Sequence, residues 1–75
     1  MKIFLRLCGP LERYGGHGIN EISLQNSIKA SQLLSELQIP SSLKVLIVVN
    51  GVKVTGDYNL QAGDIVVLFP PVSGG

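Results

Sequence analysis

Residues 63–75 read GDIVVLFPPVSGG, and the fold turns on how Ile65–Phe69 is read. IVVLF is apolar at every position, so neither face of it suits water. A strand of that kind belongs in the middle of a sheet. Pro70 and Pro71 cannot donate to a ladder and favour an extended course, so they end the strand and lead the backbone out of the sheet. Gly74 and Gly75 carry no Cβ and can enter a channel that admits only backbone. Residues 70–75 are therefore expected to be an extended, flexible C-terminal tail on one domain, 1–75. Counted from Val72, it can reach about 14 Å at roughly 3.4 Å per residue. The group at its tip is a carboxylate that needs no side chain.

A central strand needs neighbours on both sides. Upstream, KVLIVVNGVKV reads as a strand, a two-residue Asn50-Gly51 turn and a short second strand. Asn-Gly favours a type I′ hairpin turn because both residues tolerate positive φ. The connection TGDYNLQAGD is polar, with Leu60 as its one buried anchor and with Asp57 and Asp64 as turn residues after glycine. At the other end of the chain, Lys2–Cys8 alternates: Ile3, Leu5 and Leu7 point one way, Lys2, Phe4 and Arg6 the other. A glycine-rich loop, GPLERYGGHG, leads to a weaker strand, Ile19–Leu24, with Ile22 and Leu24 on one face. Between the strand pairs, Ala30, Leu33, Leu34 and Leu37 form one helical stripe. Ser27 or a nearby residue is the expected N-cap, and Pro40 prevents continuation. The predicted fold is an α+β roll: a mixed sheet of four to five strands with one main helix across one face.

Composition narrows the function. The chain is 45% hydrophobic and 15% charged, too apolar for disorder. Its basic residues are scattered and its net charge is only +1, which argues against nucleic acid. Its longest apolar runs are too short to span a bilayer, and the N-terminus lacks the pattern of a signal peptide. The single cysteine, Cys8, excludes an internal disulfide and fits a reducing, cytoplasmic compartment.

No catalytic constellation is legible. His17, the only histidine, sits among glycines with no second ligand at metal spacing and reads as a solvated loop residue. Cys8 has no basic partner at a suggestive spacing and reads as structural. GGHG lacks the lysine and the helix of a phosphate loop. The chain is expected to do no chemistry with its side chains, to bind no metal and to hold no cofactor.

LLSELQIP, VVNGVKV, LQAGDIVVLFPPV and above all the closing SGG resemble the MoaD/ThiS-type sulfur carriers. These have the ubiquitin-like β-grasp fold and include the small subunit of molybdopterin synthase and the thiamine-pathway carrier. The likeness covers essentially the whole chain. FPPVSGG is closer to the molybdopterin branch, whereas the short QIPSSL segment is closer to the thiamine branch. The first loop keeps a Glu12-Arg13 pair and a glycine but is otherwise no clean match.

The resemblance implies a cycle run by other proteins. A ubiquitin-activating-type adenylyltransferase spends ATP to adenylate the Gly75 carboxylate. A desulfurase or rhodanese-like donor then yields a Gly75 thiocarboxylate. Gly74 and Gly75 enter an acceptor such as the molybdopterin synthase large subunit, and the sulfur is donated in molybdenum cofactor biosynthesis. The alternatives are thiamine thiazole or tRNA thiolation, a ubiquitin-like modifier joined through Gly75 to lysines, and an interaction module that ignores its tail. In the family's pattern Val66 and Leu68 face the helix, leaving Ile65, Val67 and Phe69 outward beside Phe4 and Val48. Phe69, Pro70, Pro71, Val72, Val67 and Phe4 are the expected partner-binding residues.

Overall fold

The computed structural model describes residues 1–71. The elements run β1 (Lys2–Leu7), a 3-10 helix (Gly9–Tyr14), β2 (Ile19–Ser23), α1 (Ala30–Glu36), β3 (Leu46–Val49), β4 (Val52–Val54) and β5 (Ile65–Phe69). The five strands form one sheet in the order β2-β1-β5-β3-β4. The all-apolar strand β5 is central, as its composition requires. It lies parallel to β1 and antiparallel to β3, and both outer pairs are antiparallel. This mixed sheet with one helix across it is the ubiquitin-like β-grasp architecture.

Strand alternation sorts the faces. Ile3, Leu5 and Leu7 of β1, Val66 and Leu68 of β5, and Ile47 and Val49 of β3 are all buried. They meet Ala30 and Leu33 of α1, with Leu34 and Leu37 packed at the margin. Each fully buried Leu or Ile contributes about 1.5–3 kcal/mol, so a core this small needs all of them. Leu60, the expected anchor of the long connection, is completely buried. Asn50 and Gly51 have φ of 51° and 83°, the left-handed pair of a type I′ turn.

The structure refines four local expectations. The loop after β1 is not irregular throughout. Gly9 turns the chain with φ 56°, Pro10 starts a 3-10 helix, and buried Leu11 holds it against the sheet. Ser27 does not cap α1; its hydroxyl donates to the Leu60 carbonyl at 2.7 Å. The N-cap position falls on Lys29, whose backbone N–H donates to Gln32 Oε1 at 2.8 Å. The helix ends before Pro40 acts: Gln38 adopts φ 63° and its N–H donates to the Ser35 carbonyl, closing the last turn. The fourth concerns Asp64: it closes a turn, as expected, but it is buried.

Candidate functional site

The site is built on β5. At its start, the turn Gln61–Asp64 brings the Asp64 carboxylate inward, where it is 5% exposed. It accepts hydrogen bonds from the Gln61 backbone N–H (2.8 Å), Asn50 Nδ2 (2.9 Å) and the Tyr58 hydroxyl (3.1 Å). Asn50 Oδ1 in turn accepts from the Ile65 N–H at 2.9 Å. A residue expected simply as part of a turn is thus the buried hub joining the β3–β4 hairpin to the start of β5. Desolvation first, then the hydrogen bond to Asp64 and that carboxylate's charge, push the Tyr58 phenol above the ordinary tyrosine value.

From this anchor β5 exposes one row of side chains on the face away from the helix. Ile65 is 48% exposed and Phe69 is 38% exposed, with half-buried Val67 between them. Register supplies the flanks: Phe4 lies beside Ile65, Arg6 and Val48 beside Val67, and Leu46 beside Phe69. The outward positions expected of Phe4, Val48, Ile65, Val67 and Phe69 are where the structure places them. Together with Leu46 they make an apolar patch, bordered on the β1 side by exposed Arg6, the kind of surface that marks a partner site on a small domain.

The patch leads to the exit of the chain. β5 stops at Phe69, and Pro70 is half-buried beside Gly9, where a Cβ would lie 3.7 Å from Pro70 Cγ. Two grooves run along Pro70 and Pro71. Arg13, Tyr14 and Leu43 help to line one; Lys44, Leu46 and Lys53 help to line the other. In the sequence these lysines are merely scattered. The signal was in the hairpin: an Asn50-Gly51 turn sets Lys53 opposite Val48, and alternation puts Lys44, Leu46 and Val48 on that face. Val72, Gly74 and Gly75, the remaining expected tail residues, lie outside the described residues.

The other candidate groups stand apart from one another. Cys8 is half-buried, and its backbone N–H donates to the Leu68 carbonyl at 3.0 Å. His17 is exposed, with Nδ1 2.7 Å from Glu12 Oε2. Among the described residues no group of three or more His, Cys, Asp or Glu side chains is placed to hold a metal. No described helix is long and apolar enough to cross a membrane.

Comparison with known proteins fits this arrangement. No curated protein matches the chain. Among solved structures, a chain of the complex of subunits 1 and 2 of molybdopterin-converting factor from Helicobacter pylori is 26% identical, with all of both chains covered and a TM-score of 0.63. A protein provisionally described as molybdopterin converting factor subunit 1 from Pyrococcus furiosus is also 26% identical. That match covers 95% of this chain and 98% of the other, with a TM-score of 0.75. SAMP1 of Haloferax volcanii shares the fold over the full length of both chains at 21% identity and a TM-score of 0.75. The family model described as "ThiS family" matches residues 6–75. The chain belongs to the ThiS family, whose members are small, ubiquitin-like sulfur carriers without catalysis of their own.

Proposed function

We propose that this chain carries sulfur as a thiocarboxylate on Gly75 and donates it in molybdopterin synthesis. The observation that carries the reading is the path of β5. A central strand anchored at Asp64 presents an apolar outward face and then leaves the sheet at Phe69 through Pro70 and Pro71. A family match that continues through residue 75 supports extending that path to the two glycines.

A ubiquitin-activating-type enzyme docks on the patch around Phe69 and joins the Gly75 carboxylate to AMP from ATP, releasing pyrophosphate. The mixed anhydride has a good leaving group, so a persulfide sulfur from a desulfurase or rhodanese-like donor displaces AMP. Reductive cleavage of the resulting acyl disulfide by a thiol leaves the thiocarboxylate. An acceptor enzyme then takes the tail, and the sulfur becomes a dithiolene sulfur of molybdopterin. The carrier's contribution is positional: it holds one sulfur at high local concentration inside a pocket that excludes water. Molybdopterin is preferred because FPPVSGG suits that branch and two neighbours at 26% identity carry the name molybdopterin converting factor.

The test is the mass of the protein after incubation with the activating enzyme, ATP and a sulfur donor. A gain equal to the difference between sulfur and oxygen is expected. Ladders of conjugates in cells, with no such gain, would favour the modifier reading instead. Growth complementation of strains lacking either the molybdopterin or the thiamine carrier then decides the pathway. Rescue of only the thiamine-requiring strain would contradict the molybdopterin assignment.

A further inference from the structure

The fold sorts this chain's charges in a way the sequence does not suggest. Lys2 pairs with Glu21 at 3.3 Å, Glu12 meets His17, and Asp64 is enclosed by its three donors. Asp57 lies in the connection that hydrogen-bonds to the start of α1, and Glu36 ends that helix beside Ile22 and Ile28. No acidic side chain lines either groove along Pro70 and Pro71. Of the cations, Lys2 is paired, Lys29 sits at the start of α1 and Arg6 lies on the outward face beside Val67, but the other three gather at the tail root. Arg13 stands on one flank of the two prolines, and Lys44 and Lys53 stand on the other. All three are exposed, and none has an ion-pair partner among the described residues.

We propose that Lys44 and Lys53, with Arg13 across the root of the tail, receive carboxylates on the rim of the protein that admits the tail. That partner therefore presents an apolar centre, matched to Phe69, Ile65 and Leu46, edged by Asp or Glu side chains. The proposal rests on the carrier reading above, because it takes the tail root as the part of the chain a partner must surround.

Three like charges around one short segment repel one another, and acidic groups on a partner relieve that repulsion. Charges at the edge of an interface act mainly on association rate and orientation. An apolar face alone can dock in several rotations about the strand axis. Cations at one end of it select the rotation that aims the tail into the partner. Nucleic acid fits less well, because a phosphate backbone would leave Leu46, Ile65 and Phe69 unmatched and the net charge is only +1.

The test is stopped-flow association of the full chain with the activating enzyme of the same organism. It is run at about 0.01 M and about 1 M salt, where charges are felt over roughly 30 Å and 3 Å. At low salt, Lys44→Glu/Lys53→Glu should slow association by about tenfold or more, and the gap should close at high salt. Lys29→Glu, at the helix start away from the tail root, should associate near the wild-type rate. Melting curves confirm that each variant is folded. A double variant that associates at the wild-type rate at low salt would overturn the proposal. So would a Lys29→Glu variant slowed as much as the double variant. Retention of the wild type on a single-stranded oligonucleotide, lost in the double variant while enzyme association is unchanged, would overturn it in favour of nucleic acid. The same mixtures, supplied with ATP and a sulfur donor, separate the two levels. Wild type that gains no sulfur mass sinks the carrier reading and this proposal with it. Normal sulfur gain with an unchanged double variant sinks this proposal alone.

Discussion

Phe69 is the last residue of β5 and the largest exposed apolar side chain on the outward face, next to Leu46 and one step from the prolines. An aromatic residue in that place is the natural anchor of an interface. Phe69→Ala should weaken binding to both the activating enzyme and the acceptor by about 2 kcal/mol, roughly thirtyfold. The fold should survive because the side chain lies outside the core. Calorimetry with each partner measures this, and unchanged affinity for both would remove Phe69 from the site. Cys8 provides the contrasting case. Its backbone is tied to Leu68, but its thiol has no assigned task when sulfur travels on Gly75. Cys8→Ser should keep thiocarboxylate formation near normal, and a large loss in a folded variant would move the chemistry onto the thiol. Asp64 shows the limit of reading residues singly. Asp after Gly suggests a turn, and the turn is real, but the carboxylate is also buried under side chains from its own connection and from the hairpin. Tyr58 is six residues away in the same connection, but Asn50 sits in the β3–β4 turn and becomes a neighbour only once the hairpin packs beside β5. Asp64→Ala should cost about 2 kcal/mol or more, because several buried donors lose their acceptor. Denaturant unfolding measures the loss.

At the scale of elements, the strands were legible because their side-chain period is two and one face is buried. The alternation of Lys2–Leu7 and the unbroken IVVLF run assign inward and outward positions by pattern alone. The 3-10 helix at Gly9–Tyr14 was not legible. One buried residue, Leu11, carries it, and six residues are too few to show a period. The start of α1 was legible only to within a few residues, because Ser27, the named cap candidate, bonds to the Leu60 carbonyl instead. The long connection before β5 has its own signature in pH. The Tyr58 phenol is raised in the folded protein, so its contribution to stability is fully present below the ordinary tyrosine value. It is lost as pH rises through the folded value. Stability measured by denaturant should therefore fall above pH of about 10. Tyr58→Phe should fall less steeply over that range. Equal slopes for the two proteins would show that ionisation of Tyr58 does not govern this loss.

For the whole molecule, the first and last strands meet at the sheet centre: β1 and β5 pair in parallel. The core is thus closed by the strand that leads into the tail. Residues 1–71 supply a platform, an apolar outward face and three cations near Pro70 and Pro71. Pattern and composition were enough to foresee the platform and the face. The grouping of cations was hidden because Arg13, Lys44 and Lys53 are brought together only by the sheet. The tail's proposed task is chemistry at one backbone carboxylate. That carboxylate must come within about 3–3.5 Å of its nucleophile in more than one enzyme, and a misplacement of about 1 Å can cost on the order of 100-fold. The most direct measurement is single-turnover sulfur transfer with purified partners, comparing the chain ending at Gly75 with the same chain extended by one alanine. The extended chain is predicted to keep its melting temperature and dock normally but to form no transferable thiocarboxylate. Transfer at the wild-type rate by an extended chain, shown by mass to be untrimmed, would contradict a carrier role for the Gly75 carboxylate.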